Sequence, residues 1–204
     1  MLAGHLQSLD DLPVQRVSHD NAHRIDVVGG GDGLPKGHRE IVNVDGGRGT
    51  IATDRRRGYR AAMRRHGLGD RVTILSGDHT EESGTRAAKI MLVGSLPTAV
   101  ITFNDRCALG LLDALSRSGV DVPGATSVVG YDDSPSAQLA HVGLTSEGHD
   151  AQRKAQQAVA VVAAVERLDH GRRNPREVVS TPHLIVRGTT APPRTGHDLS
   201  RHIE

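Results

Sequence analysis

The sequence predicts an α/β fold with parallel strands, and three observations predict it. Two short continuous apolar runs, Ala99 to Phe103 and Ser127 to Tyr131, read as strands buried on both faces. Between them Ala108, Leu111, Leu112 and Leu115 recur on one helical face, with Asn104 and Asp105 at the start and Gly119 just past the end. Strand, helix and strand with short links make a βαβ unit, so the two strands are expected to be parallel neighbours. Thirdly, Asn104, Asp105, Asp132 and Asp133 all fall at the carboxyl ends of these strands. In open α/β sheets that edge takes ligands. Two readings stay open: Asn104 and Asp105 cap a helix and Asp132 and Asp133 make a turn, or the four hydrogen-bond a ligand's hydroxyls.

In chain order, Leu2 to Leu9 can end a helix and Leu12 to Val17 form a short strand running into Ser18–Asn21. Asp20 there reads as a turn residue. The stretch from His23 to Lys36 carries Gly29, Gly30, Gly31, Gly33 and Pro35, so any helix in it is broken or short. No G-x-x-x-x-G-K-[ST] pattern makes those glycines a phosphate loop. Glu40 to Val44 is the next strand, then the turn Asp45–Gly49. A helix over 53–66 buries Tyr59, Ala62 and Met63, with Gly67 as its stop. Its six arginines lack aromatic interleaving and read as a solvated face rather than a nucleic-acid stripe. A strand over 71–75 and a helix over 81–93, with Ala87, Ile90 and Met91 inward, lead to the central unit. Beyond it come a short helix over 134–140, a brief strand at Leu144 and Thr145, and a long helix over 150–168. Strands over 177–179 and 183–186 close the chain, and the residues after Pro192 read as loose.

Composition narrows the function. The 204 residues carry a formal net charge of +1, so no global field draws in nucleic acid or membrane. One cysteine excludes an internal disulfide. No apolar run reaches the ~20 residues of a spanning helix, and the first residues show no signal-peptide pattern, so a cytoplasmic protein is expected. Only Tyr59, Phe103 and Tyr131 are aromatic, which leaves the core to aliphatic side chains. His19 and His23 lack a completing carboxylate, so no metal is expected, and no cofactor. Cys107 has no base nearby in sequence and reads as a small buried residue. No catalytic constellation is found, and the chain is not expected to be an enzyme.

The stretch from PTAVITFNDRCALGLLDAL to VPGATSVVGYDDSPSAQLA resembles the effector-binding region of LacI/GalR-type transcriptional regulators. So do the Gly37-His38-Arg39 motif, the run TDRRRGYRAAM and the closing PHLIVRGTT. The resemblance runs from about Val14 to Pro193 and is strongest from Arg55 to Asp133. It implies a periplasmic-binding-protein-like fold, two Rossmann-like lobes with parallel sheets, the N-terminal one incomplete. Residues 1–50 would be part of that lobe, 51–190 mainly the C-terminal lobe, and 191–204 a tail. By the R-x-x-G-[YFW] pattern Arg55 would reach the effector, and a guanidinium's fixed fork suits two ligand oxygens at once. Asn104, Asp105, Asp132 and Asp20 would join it, with Phe103 or Tyr131 as an apolar wall or as core. The implied effector is a sugar or nucleobase-like compound, and the implied assembly a homodimer. Operator DNA would be bound only through a helix-turn-helix that this stretch does not contain. Two other classes compete: a stand-alone solute-binding protein of the same fold, and an enzyme using Asp132 and Asp133 as paired carboxylates.

Overall fold

The structure is a computed structural model, and it describes residues 15–17, 37–148, 178–180 and 183–194. The chain divides into two compact units, residues 1–18 with 149–182, and residues 19–148 with 183–204. In the first, β1 (Gln15–Val17) and β7 (Val178–Ser180) pair in parallel, Gln15 opposite Val178. The expected helices over 2–9 and 150–168, the glycine-rich stretch and Asp20 all lie outside the described residues.

The second unit holds a six-stranded sheet. Its strands are β2 (Ile41–Val44), β3 (Thr73–Leu75), β4 (Ala99–Thr102), β5 (Ser127–Tyr131), β6 (Thr145–Gly148) and β8 (His183–Ile185). Their order across the sheet is β3-β2-β4-β5-β6-β8. The first five are parallel, and β8 runs antiparallel to β6. The parallel neighbours β4 and β5 are the pair that the apolar runs predict, with Ala99 opposite Ser127. β2 sits in the body of this sheet, between β3 and β4.

Helices cover both faces. On one, α1 (Thr50–Arg65) lays Tyr59, Ala62 and Met63 against Ile41, Ala99, Ile101 and Val129. The Tyr59 hydroxyl donates to the Ile41 carbonyl (2.7 Å) and accepts from the Thr73 N–H (3.2 Å), which ties β2 to β3. On the other, α2 (Glu81–Val93) and α3 (Asp105–Arg117) pack Ala87, Ala88, Met91, Ala108, Leu111 and Leu115 on Val42, Val44, Val100 and Val128. Gly67 and Gly119 take positive φ, 68° and 71°, just past α1 and α3. In each case the following N–H returns to the last turn, Leu68 to Met63 (2.8 Å) and Val120 to Leu115 (3.0 Å). These are Schellman closures, and glycine adopts that backbone at least cost.

Two expectations change. Ile90 is not inward: it is 55% exposed, because the face of α2 that meets the sheet and α3 carries Gly84, Ala87, Ala88 and Met91. Those positions follow the i, i+3, i+4, i+7 rule, and Ile90 falls off it. Residues 134–140 form no α-helix. Their bonds run from Ala137 to Ser134 (3.0 Å) and Leu139 to Ser136, the tighter i+3 spacing of successive turns. The chain then doubles back, Leu144 N–H to Ala137 carbonyl, to enter β6.

The stretch after residue 190 is fastened as far as Arg194. The Ala191 carbonyl accepts from His38 Nε2 (2.8 Å) and from Ser127 Oγ (3.1 Å), and Arg194 pairs with Asp121. His38 is buried, and that burial holds its imidazole below its ordinary pKa. The folded state therefore keeps His38 neutral, while the unfolded chain takes up a proton near pH 6.5. Unfolded protein binds more protons below that pH, so this contribution is intact above about 6.5 and lost as pH falls. Urea unfolding at pH 7.5, 6.5 and 5.5 should show a smaller acid-side loss for His38→Gln than for the unaltered chain. Equal slopes for the two would remove His38 from the pH response.

Candidate functional site

The sheet order reverses between β2 and β4, because the chain goes from β2 out to β3 and then crosses back to β4. At such a switch point the loops leaving the two strands part and leave a crevice at the carboxyl edge. Here those loops begin at Asp45–Gly46 and Phe103–Asn104. A Cβ on Gly46 would collide with the Phe103 ring, so glycine lets that ring lie directly on the loop after β2. The His79 ring flanks it at 4.5 Å between centroids.

Arg55, in the second turn of α1, reaches into this arrangement and is 5% exposed. One terminal nitrogen donates to the Phe103 carbonyl. The guanidinium carbon lies 4.3 Å from the Phe103 ring centroid and 3.6 Å from that of Tyr131. A cation between two ring faces is held by both, and more strongly once water is excluded. Burial lowers the Arg55 pKa; Tyr131, Asp132 and Glu147 act against that and favour the charged form. Glu147 is fully buried in β6, paired in register with Tyr131. Asp132 is exposed, with φ of 110°, and its N–H donates to the Glu147 carbonyl (2.7 Å).

Of the residues expected from the sequence, Arg55, Phe103 and Tyr131 meet in one stack, and Asp132 and Glu147 act on it electrostatically. Asn104 is at the same edge, but its amide is occupied. Its Oδ1 accepts from Cys107 N–H (2.9 Å), capping α3, and its Nδ2 donates to the His79 carbonyl (3.1 Å). Asp105 is buried and turned away: Oδ2 accepts from Ser134 N–H (2.7 Å) and Oδ1 from Ser146 Oγ (2.6 Å). Burial raises its pKa, and those bonds oppose the rise. Cys107 is buried against Ser83, and burial raises its thiol pKa.

The sequence reading missed Glu147, His79 and Gly46. The brief strand expected at Leu144 and Thr145 stops short of Glu147, and His79 stands in the loop beyond its strand rather than directly after it. Among the described residues the edge presents the exposed Asp132 carboxylate beside a buried stack of the Arg55 guanidinium with Phe103 and Tyr131, and Arg56 is paired with Asp45 in the loop after β2. That set hydrogen-bonds and stacks. Among the described residues no group of three His, Cys, Asp or Glu could hold a metal, and no helix is long and apolar enough to cross a membrane.

Residues 33–190 match the family described as periplasmic binding protein-like domain. The chain is 30% identical over 157 residues to the HTH-type transcriptional repressor PurR of Actinobacillus pleuropneumoniae serotype 5b (strain L20), covering 76% of this chain and 47% of that protein. It thus spans about half the length of the curated relatives it matches. A LacI transcriptional regulator from a Rhodococcus species superimposes with a TM-score of 0.69 at 44% identity, over 76% of this chain and 57% of that one. The lac repressor dimer bound to operator and the anti-inducer ONPF does so with a TM-score of 0.71 at 26% identity, over 87% and 61%. The chain therefore belongs to the periplasmic-binding-protein-like family, in the form carried by LacI-type transcriptional regulators.

Proposed function

We propose that this chain is the effector-sensing part of a LacI-type transcriptional regulator. The observation that carries the reading is the buried Arg55 guanidinium, clamped between Phe103 and Tyr131 at the switch-point edge beside the exposed Asp132. Residues 37–148 with 183–194 form most of a C-terminal lobe, and the β1–β7 pair belongs to the N-terminal one. The effector is a small neutral polar molecule, a sugar or nucleobase-like compound. Arg55 and Asp132 contact it, the aromatic stack walls it, and Asn104 shapes the edge from its cap position. Operator DNA is bound through a helix-turn-helix supplied outside these residues, by a cytoplasmic homodimer. Effector binding acts on DNA affinity by favouring one conformation over another. The site is read as one that binds rather than reacts: among the described residues no base is poised on a nucleophile.

A thermal-shift screen of the chain with neutral sugars and nucleobases tests this. A hit should bind Asp132→Asn about 10- to 100-fold more weakly, the worth of a hydrogen bond to a charged group. Without ligand the melting temperature of that variant should fall by only a few degrees, about 1 kcal/mol, since Asp132 is exposed and only one of several groups favouring the Arg55 charge. Turnover of the hit, or unaltered affinity in the variant, would sink the reading.

A further inference from the structure

We propose that Asp105 is a positioning residue: from the first turn of α3 it holds residues 132–134 in the backbone geometry that presents Asp132 at the strand edge. This rests on reading that edge as the effector site. Asp132 and Asp133 both have positive φ, 110° and 49°. Non-glycine residues keep such backbone only where the surroundings hold it.

Three successive N–H groups are held here. Asp132 donates to the Glu147 carbonyl (2.7 Å), Asp133 to Ser146 Oγ (3.1 Å) and Ser134 to Asp105 Oδ2 (2.7 Å). The Ser146 hydroxyl in turn donates to Asp105 Oδ1 (2.6 Å). One carboxylate therefore fixes Ser134 directly and Asp133 through Ser146. Its room is built in, since a Cβ on Gly130 would collide with Asp105 Oδ1. Asp105 also sits at the amino end of a 13-residue helix, where a negative charge is favoured.

A second tie comes from the far side of the loop. Asp133 Oδ1 accepts from Arg187 (2.6 Å), whose other terminal nitrogen donates to the Leu144 carbonyl (2.8 Å). Arg187 fixes the Asp133 side chain, whereas Asp105 fixes the backbone. An amide at position 105 has one acceptor where the carboxylate has two. Its nitrogen can still donate to the Ser146 hydroxyl, so Asp105→Ala, which loses both bonds, is the variant that isolates the carboxylate.

The test uses the isotope-labelled 204-residue chain without ligand. Amide exchange is followed at Asp132, Asp133 and Ser134, and at Val100 and Val128 in the sheet. In Asp105→Ala and in Ser146→Ala, exchange at the loop should quicken by about tenfold or more relative to the sheet, as local opening does. The backbone carbon shifts of Asp132 and Asp133 should lose their positive-φ signature. A general loss of stability would speed loop and sheet together and leave the ratio unchanged. An unchanged ratio with unaltered shifts in both variants overturns the proposal. Because no ligand enters, this result stands apart from the sugar and nucleobase screen. Loosening of the loop with no hit in that screen would fault the effector reading and leave the positioning role standing.

Discussion

Gly110→Ala is expected to lower stability by about 3 kcal/mol and the thermal midpoint by roughly 6–12 °C. The cause lies where α2 crosses α3. A Cβ on Gly110 would fall inside contact distance of the Glu81 carbonyl, and one on Gly84 would press on the Cys107 carbonyl and lie 2.7 Å from the Leu111 nitrogen. The obstacles are backbone atoms and cannot swing aside as a side chain can. Relief requires moving the helices apart, which opens the fully buried layer of Ala88, Ala108 and Leu111. Alanine's better helix propensity returns at most about 1 kcal/mol, so overpacking wins. Gly94 is the control, since a Cβ there meets only the Ile90 carbonyl at 3.5 Å, an ordinary contact. Gly94→Ala should stay within about 0.5 kcal/mol of the unaltered chain. Urea unfolding measures both, and a Gly110→Ala midpoint matching that of Gly94→Ala would show that the crossing has slack.

That crossing also explains what the sequence could and could not reveal. β4 and β5 were legible because strands buried on both faces spell continuous apolar runs, and α3 because Asn104, its leucines and Gly119 agree with one another. The inward face of α2 was misphased because glycines and alanines make its contacts, and hydropathy gives more weight to Ile90. At the edge, Arg55 stood out only through its motif spacing to Gly58. The division of labour among Asn104, Asp105 and Asp132 could not be read. A polar residue after a strand looks the same whether it caps a helix, ties a loop or faces outward. The choice is made by partners far off in sequence, Ser134 and Ser146 for Asp105. Glu147 was hidden for the same reason, being buried by what surrounds β6 rather than by any pattern within it.

Arg55→Met should cost about 3–5 kcal/mol and abolish effector binding, the largest effect expected at the site. Methionine fills much of the same volume and can lie against Phe103 and Tyr131, so apolar contact is largely kept. What goes is the charge. The Phe103 carbonyl loses its donor, both ring faces lose their cation, and the fully buried Glu147 loses a positive neighbour. Removing one member of a buried charged group costs far more than the group itself contributes, because the remaining charge is left in a poorly polarisable setting. Arg55→Lys separates the terms. It restores a positive charge without the planar fork that stacks on two rings. If charge dominates, Lys should be more stable than Met by about 1–2 kcal/mol, though both lose the effector. If packing dominates, the order inverts, because an ammonium drawn between two rings sheds tightly held water. Either order keeps Arg55 as the anchor of the edge. A Met variant within about 1 kcal/mol of the unaltered chain would not, since a guanidinium that can be deleted so cheaply is not holding Phe103, Tyr131 and Glu147 in place.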